Sequence, residues 1–344
     1  MRISILGTGA YGMALLNVLH YNKYEIRMWT NSDEEANYLN MTRKSPKVDY
    51  IIPDDIIIST NMEDIILGSD VIIFAVPSEF IGSVSKLVSQ YYNSQYIGIT
   101  SKGIDKESLL LLSDLVGNNL NTDLISVISG CTFASDMVRN VPLGINVASK
   151  DIKTLDVISC VLENDYLKVH KTNDVIGTEI CGAVKNVMAI GSGMIEGMGY
   201  PSSSLAMFIT MALNELMMLI QKLGGDKDTI LSFAGVGDLI LTSSSTNSRN
   251  FTLGKMIGSG IDYHEYLSNN TIEGVYTLDV IMKIIKSNNL DMPIITSIYD
   301  IVHGKKDCHE LTNLWQFILF IVIIVVIVIW VVYCIIYTAT ISKK

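Results

Sequence analysis

The chain has 344 residues, enough for two domains of roughly 100 to 200 residues each. Its formal net charge is −10, with 25 Lys and Arg against 35 Asp and Glu and no basic block, which excludes a polyanion groove and hence nucleic acid as a partner. Charged residues make up only 17% and hydrophobic ones 49%, against about 25% charged in soluble domains, so an unusually apolar segment must be present.

The first predicted element is a strand, Arg2–Leu6. No signal-peptide core or cleavage site accompanies it, so the body of the protein is expected to stay in the cytosol. It runs into Gly7-Thr8-Gly9-Ala10-Tyr11-Gly12, a G-x-G-x-x-G that opens a helix reaching about His20. Gly7 permits the tight turn, Gly9 lets a pyrophosphate approach the backbone, and Gly12 lets the helix pack on the strand. Free N–H groups at the helix start, from Ala10, Tyr11 and Gly12, then hold phosphates. A dinucleotide cofactor is the expected ligand.

A second strand, Glu25–Trp29, ends in Met28-Trp29-Thr30-Asn31, without the acidic residue that commonly binds the ribose 2′-hydroxyl of NAD and without an arginine for the NADP phosphate. Asp33 and Glu34 lie a little beyond and disfavour that phosphate, so NAD is expected, with NADP as the alternative. Residues 58–60 suit an edge strand, and Asn61 a cap for the short helix carrying Glu63 and Asp64. Further strands are predicted at 70–76, 96–100 and 125–129. Strands alternating with helices imply a parallel sheet covered on both faces.

Beyond about Asn173 the strand signal fades, and residues 177–193, 202–223 and 278–287 show apolar positions at helical spacing. The predicted architecture is an α/β N-terminal Rossmann dinucleotide-binding domain over residues 1–170 and an all-α C-terminal substrate domain over 171–310, followed by a C-terminal transmembrane helix within 314–337. For that last element, no charged residue occurs between Glu310 and Lys343. Residues 317–337 are almost entirely Ile, Val, Leu, Phe, Trp and Tyr, and at ~1.5 Å per residue they match a hydrocarbon core of about 30 Å. A core helix of a soluble domain would show a polar stripe, and this segment has none. A single-pass tail anchor in a membrane, with the catalytic domains in the cytosol, is the expectation.

The five cysteines, Cys131, Cys160, Cys181, Cys308 and Cys334, include no C-x-x-C pair, so no metal is expected and the thiols read as buried groups in a reducing compartment. The N-x-T sequons at Asn40, Asn250 and Asn269 are then accidental.

Lys185 sits inside an apolar helical stretch, where partial desolvation draws a lysine pKa towards neutrality and makes it a proton donor at working pH. Arg249 offers a planar fork of donors suited to a phosphate. Taken singly, each could be an ordinary surface cation. The surrounding runs decide between the readings. Cys181-Gly182-Ala183-Val184-Lys185-Asn186-Val187-Met188-Ala189-Ile190, Gly235-Val236-Gly237-Asp238-Leu239-Ile240-Leu241-Thr242 and Ser248-Arg249-Asn250 follow Ser101-Lys102-Gly103 and Gly130-Cys131-Thr132-Phe133-Ala134 and precede Glu273-Gly274. In this order, over residues 1 to about 305, they resemble the NAD(P)-dependent glycerol-3-phosphate dehydrogenase family.

The resemblance implies interconversion of dihydroxyacetone phosphate and sn-glycerol 3-phosphate, serving lipid synthesis or redox balance. It places Lys185 as the acid, Lys102 beside the reacting oxygen, Asp238 as the group that tunes the lysine, and Asn186, Thr242, Arg249 and Asn250 at the substrate. Pro77, Phe80, Lys102, Ala134, Arg249 and Glu273 join the glycine loop at the cofactor. The chain departs from the family's pattern in four places. Cys131 stands where a proline is usual, Tyr200-Pro201-Ser202-Ser203-Ser204 replaces a glycine and asparagine pattern, Met211-Ala212 replaces Arg-Gly, and the apolar segment stands where a short soluble end is usual. The competing readings are a membrane-tethered dinucleotide-binding protein without turnover, and another Rossmann dehydrogenase acting on a hydroxy or sugar acid. Joint retention of Lys102, Lys185, Asp238 and Arg249 disfavours the first, and Ser248-Arg249-Asn250 with Lys185-Asn186 the second. A homodimer is left open.

Overall fold

The computed structural model describes residues 1–313; the apolar segment expected to anchor the chain lies outside them. Eight strands form one sheet in the order β3-β2-β1-β4-β5-β6-β7-β8. They are β1 (Arg2–Leu6), β2 (Glu25–Trp29), β3 (Ile57–Ser59), β4 (Val71–Phe74), β5 (Tyr96–Ile99), β6 (Ile125–Gly130), β7 (Leu143–Ala148) and β8 (Leu167–Thr172). The first six are mutually parallel. Their order reverses between β1 and β4, the switch point at which doubly wound sheets open a crevice beyond the strand ends.

The expectation of a uniformly parallel sheet is corrected at β6, which meets β7 antiparallel, β7 and β8 being parallel to each other. The reversal has a local cause. The link between β6 and β7, residues 131–142, holds only the short helix Ala134–Met137 and so lacks the longer helix that usually carries a parallel crossover. β4 shows why the strand runs read so clearly: Val71–Phe74 is buried on both faces, as a central parallel strand should be.

The helical half begins with Val175–Gly197, whose side chains from Val175 to Ile195 are nearly all buried. Asp174 caps it by accepting the Gly177 amide. Around this axis pack the helices Ser202–Lys222, Arg249–Gly258, Glu273–Ser287 and Pro293–Val302. The last described turn contributes Leu311, fully buried in the same core. Helix Arg249–Gly258 crosses the axis unusually closely. A Cβ added at Gly193 would lie 2.1 Å from the Phe251 carbonyl oxygen, and one at Gly254 would lie 1.9 Å from that of Ile190. Glycine is required at both positions because backbone fills the space. Met211 and Ala212 lie on helix Ser202–Lys222, with Ala212 in the core. Among the thiols, Cys181 is buried, Cys131 and Cys308 are half-buried, and Cys160 is exposed, so the expected burial fails for Cys160.

Candidate active site

Gly7 has φ of +120°, and a Cβ there would lie 2.6 Å from the Ala75 carbonyl oxygen. A Cβ on Gly12 would lie 2.1 Å from the Gly7 oxygen, so the loop folds only with glycine at both places. Gly9, by contrast, faces open space. It is the N-cap of helix Ala10–Tyr21, and no side chain caps that end. The first-turn amides therefore point outwards as unspent donors, a fit for the phosphates of a dinucleotide.

Beside this loop, a cavity of about 370 Å³ lies between the sheet end and the helical half. Gly9, Ala10, Tyr11, Pro77, Lys102 and Ala134 face it from one side; Lys185, Asn186, Thr242, Arg249, Asn250 and Glu273 face it from the other. The glycine loop, Pro77 and Phe80 also line a neighbouring concavity. The residues picked from sequence thus converge, apart from Asp238, which lies behind the lysines, and Gly12, which packs beneath the loop against Gly7. A larger open concavity, about 970 Å³ near Ser113, Asp114 and Lys150, includes none of them.

Asp238 is 1% exposed and opens helix Asp238–Ser243 after the irregular turn Phe233–Gly237. Lys102 Nζ donates to its Oδ2 at 2.5 Å, and Lys185 Nζ donates to its Oδ1. Lys185 also donates to Thr242 Oγ1 at 2.8 Å, while that hydroxyl donates to the Asp238 carbonyl at 2.7 Å. Thr242 therefore faces Lys185, its proton already placed.

Two lysines share one carboxylate, and the balance differs for each. Burial dominates for Lys185 and, with repulsion from Lys102, outweighs the attraction of Asp238, drawing its pKa down to about 8. For Lys102 burial also acts downwards, but Asp238 and Tyr11 overcome it and hold its pKa above the ordinary lysine value. Lys185 is the member of the pair poised to exchange a proton near neutral pH, and Lys102 the one that stays charged.

Asn186 and Asn250 form a relay. The Gly274 amide donates to Asn250 Oδ1 at 2.8 Å, Asn250 Nδ2 to Asn186 Oδ1 at 3.0 Å, and Asn186 Nδ2 to Glu273 Oε2 at 3.2 Å. Both carbonyl oxygens are occupied within the protein, leaving each amide one N–H to offer. Buried Asn250 cannot carry the sugar its sequon would permit. Arg249 is exposed at the cavity rim, just beyond the Ser248 cap, with no acidic partner among the described residues. Cys131 rests its Sγ 3.5 Å from the Gly144 carbonyl, at the edge of the site.

One residue at this end of the sheet escapes the sequence reading. Glu35, rather than Asp33 or Glu34, turns back to the glycine loop, donated to by Thr8 and Thr30. A signal exists in Ser32-x-x-Glu35: Ser32 accepts the Glu35 amide at 3.2 Å, which fixes the helix start and hence the direction of that side chain.

A glycine loop at the switch point of a parallel sheet, with Lys102 of the sheet half and Lys185 of the helical half meeting on the buried carboxylate of Asp238, defines a two-domain dinucleotide-dependent oxidoreductase. Sequence models of the NAD-dependent glycerol-3-phosphate dehydrogenase N-terminus and C-terminus match residues 2–155 and 174–313. The chain belongs to the NAD-dependent glycerol-3-phosphate dehydrogenase family. Over 309 residues it is 32% identical to glycerol-3-phosphate dehydrogenase [NAD(P)+] of Staphylococcus haemolyticus, covering 88% of this chain and 93% of the relative. The Staphylococcus aureus protein of the same name is 33% identical with the same coverage. Among solved structures, glycerol-3-phosphate dehydrogenase from Coxiella burnetii superposes with a TM-score of 0.86 at 28% identity, over 92% of this chain and 98% of that one. The Plasmodium falciparum enzyme shares the fold, with a TM-score of 0.82 at 23% identity over 91% of this chain and 94% of that one.

Proposed function

We propose that this protein interconverts dihydroxyacetone phosphate and sn-glycerol 3-phosphate with NAD(H) or NADP(H), supplying glycerol 3-phosphate for lipid synthesis or redox balance. The observation that carries the reading is the Lys102–Asp238–Lys185 arrangement facing the cavity beside the glycine loop. The cofactor, when bound, supplies or accepts the hydride at the substrate carbon. In the reduction direction Lys185 Nζ gives its proton to the carbonyl oxygen and is left as a neutral amine, to be reprotonated from solvent. Lys102, still charged, stabilises the oxygen as negative charge builds on it. Asp238 keeps both ammonium groups in place. Arg249 at the rim takes the substrate phosphate in its guanidinium fork, and the spare N–H groups of Asn186 and Asn250 meet the substrate oxygens.

In this reading residues 1–170 hold the cofactor and residues 171–310 the substrate. The uncharged run 317–337 anchors the chain in a membrane with its catalytic domains in the cytosol. A truncation to test this should end after Asn313 rather than Glu310, because Leu311 is buried in the core. The truncated chain is expected to be soluble and to oxidise NADH or NADPH with dihydroxyacetone phosphate. Retention in the membrane fraction after carbonate washing would rule out the anchor as the sole attachment. Cofactor binding without turnover would instead favour a tethered binding protein.

A further inference from the structure

The concavity of about 460 Å³ on the other side of the glycine loop is lined by Thr8, Trp29, Thr30, Glu35 and Lys47, among others. In doubly wound folds, residues beyond the second strand decide whether the adenosine ribose is recognised by its 2′-hydroxyl or by a 2′-phosphate. Here the residues directly after β2, Thr30 and Asn31, are uncharged. The charge arrives from farther along the chain.

Glu35 Oε2 accepts the Thr8 hydroxyl at 2.8 Å and the Thr30 hydroxyl at 2.6 Å, so one carboxylate oxygen is pinned to both the glycine loop and the strand end. Its other oxygen accepts Lys47 Nζ at 2.6 Å. The Glu35 side chain is 22% exposed and the Lys47 side chain 48%, so the acid is held and sheltered whereas the base stands half in solvent on its one bond to the acid. Burial works against ionisation of Glu35, but the bonds from Lys47, Thr30 and Thr8 prevail and hold its carboxyl below the usual glutamate range.

We infer that Glu35 and Lys47 form an opposed pair that sets cofactor selectivity. Glu35 accepts the ribose 2′-hydroxyl of NAD(H) and repels the phosphate of NADP(H), while Lys47 tempers that repulsion. The carboxylate prevails because it cannot move away, so the protein prefers NAD(H). This rests on the reading that the crevice takes NAD(P)(H), and it adds which residues discriminate.

The test is equilibrium titration of the intact protein with NADH and with NADPH, followed by nucleotide fluorescence without substrate. Wild type should bind NADH the more tightly. Glu35→Gln should lower the NADH over NADPH affinity ratio by about tenfold or more, and Lys47→Ala should raise it by about threefold. A merely structural Glu35 would weaken both nucleotides together and leave the ratio unmoved, which would overturn the inference whatever Lys47 does. Should Glu35→Gln fail to fold, Lys47→Ala decides alone, an unchanged ratio counting against. Wild type that binds neither nucleotide overturns the underlying reading along with the inference, whereas nucleotide binding without turnover of dihydroxyacetone phosphate leaves the selectivity test intact.

Discussion

Of the three carboxylates buried among the described residues of the helical half, Asp238, Glu215 and Glu179, the first two keep different company. Asp238, at the cavity, is 1% exposed and meets two lysine ammonium groups. Glu215, far along helix Ser202–Lys222, is 3% exposed and meets only dipoles: its two oxygens accept the Ile294 and Ile295 amides, each at 2.8 Å. These amides open helix Pro293–Val302, so Glu215 serves as a remote cap for an end that lacks its own. Amide dipoles offset burial only in part, and the Glu215 pKa is pushed up to about 7. The difference teaches what each arrangement is for. Backbone amides can seat a carboxylate but cannot pass on a proton, whereas a lysine held beside a second lysine can.

The sharpest way to break this comparison is Lys185→Ala. It should lower kcat by about two to four orders of magnitude while NADH binding persists. A near-normal rate of NADH oxidation would remove Lys185 from the chemistry. Asp238→Asn comes next. It leaves the buried Lys185 ammonium and the part-buried Lys102 ammonium without their counter-charge, an effect on the order of 3–5 kcal/mol, so the melting temperature should drop by many degrees. In whatever fraction remains folded, the Lys185 pKa should fall further, because Asp238 is what raises it.

A pH profile sharpens the same point without mutation. Reduction needs protonated Lys185, so kcat/KM for dihydroxyacetone phosphate should be level below about 8 and decline above it. Oxidation of glycerol 3-phosphate needs the neutral amine and should rise through the same region. Parallel profiles in the two directions would argue against a single lysine serving both.

The smallest effect belongs to Glu215. Its folded pKa lies above the ordinary 4.5, so the native state holds the extra proton. The stability this gives is complete below about 4.5 and is lost as pH rises through about 7. Glu179, also near 7 and bonded to Ser113, acts in the same direction. Melting temperatures should therefore fall between pH 5.5 and 8. Glu215→Gln should flatten that fall by an amount on the order of 1–3 kcal/mol. A variant curve as steep as wild type would show that Glu215 titrates in the fold as it does in water.

Much of this arrangement was legible in the sequence, for reasons that also mark where legibility ends. β1 and β4 are short runs rich in β-branched residues, β2 alternates polar and apolar positions, and the loop after β1 needs glycine for steric reasons, so pattern and structure agree. Asn61 caps helix Met62–Ile66 as its residue type suggests. The reversal at β7 is a property of pairing, and nothing within Leu143–Ala148 states its direction. β8 carries Lys168, His170 and Lys171 at the sheet edge, too polar to read as a core strand. In the site, an apolar helix around Lys185 announces desolvation. That Asp238, 53 residues from Lys185 and 136 from Lys102, serves both lysines is tertiary information, reached in the sequence only through family resemblance. Glu35 stood hidden for a different reason: three acids in a row look alike until the helix start is fixed.

The close crossing of helices Val175–Gly197 and Arg249–Gly258 bears on how this protein could be redesigned. Because Gly193 and Gly254 let backbone touch backbone, the register between the helix bearing Lys185 and the helix whose first turn bears Arg249 is fixed by main-chain contact. Repacking neighbouring methionines and isoleucines cannot compensate for a methyl group inserted there, whereas an exposed residue at the cavity mouth such as Asn247 can be exchanged without touching that crossing. An engineer seeking a different phosphorylated ketone has an adjustable mouth mounted on a joint that admits no adjustment.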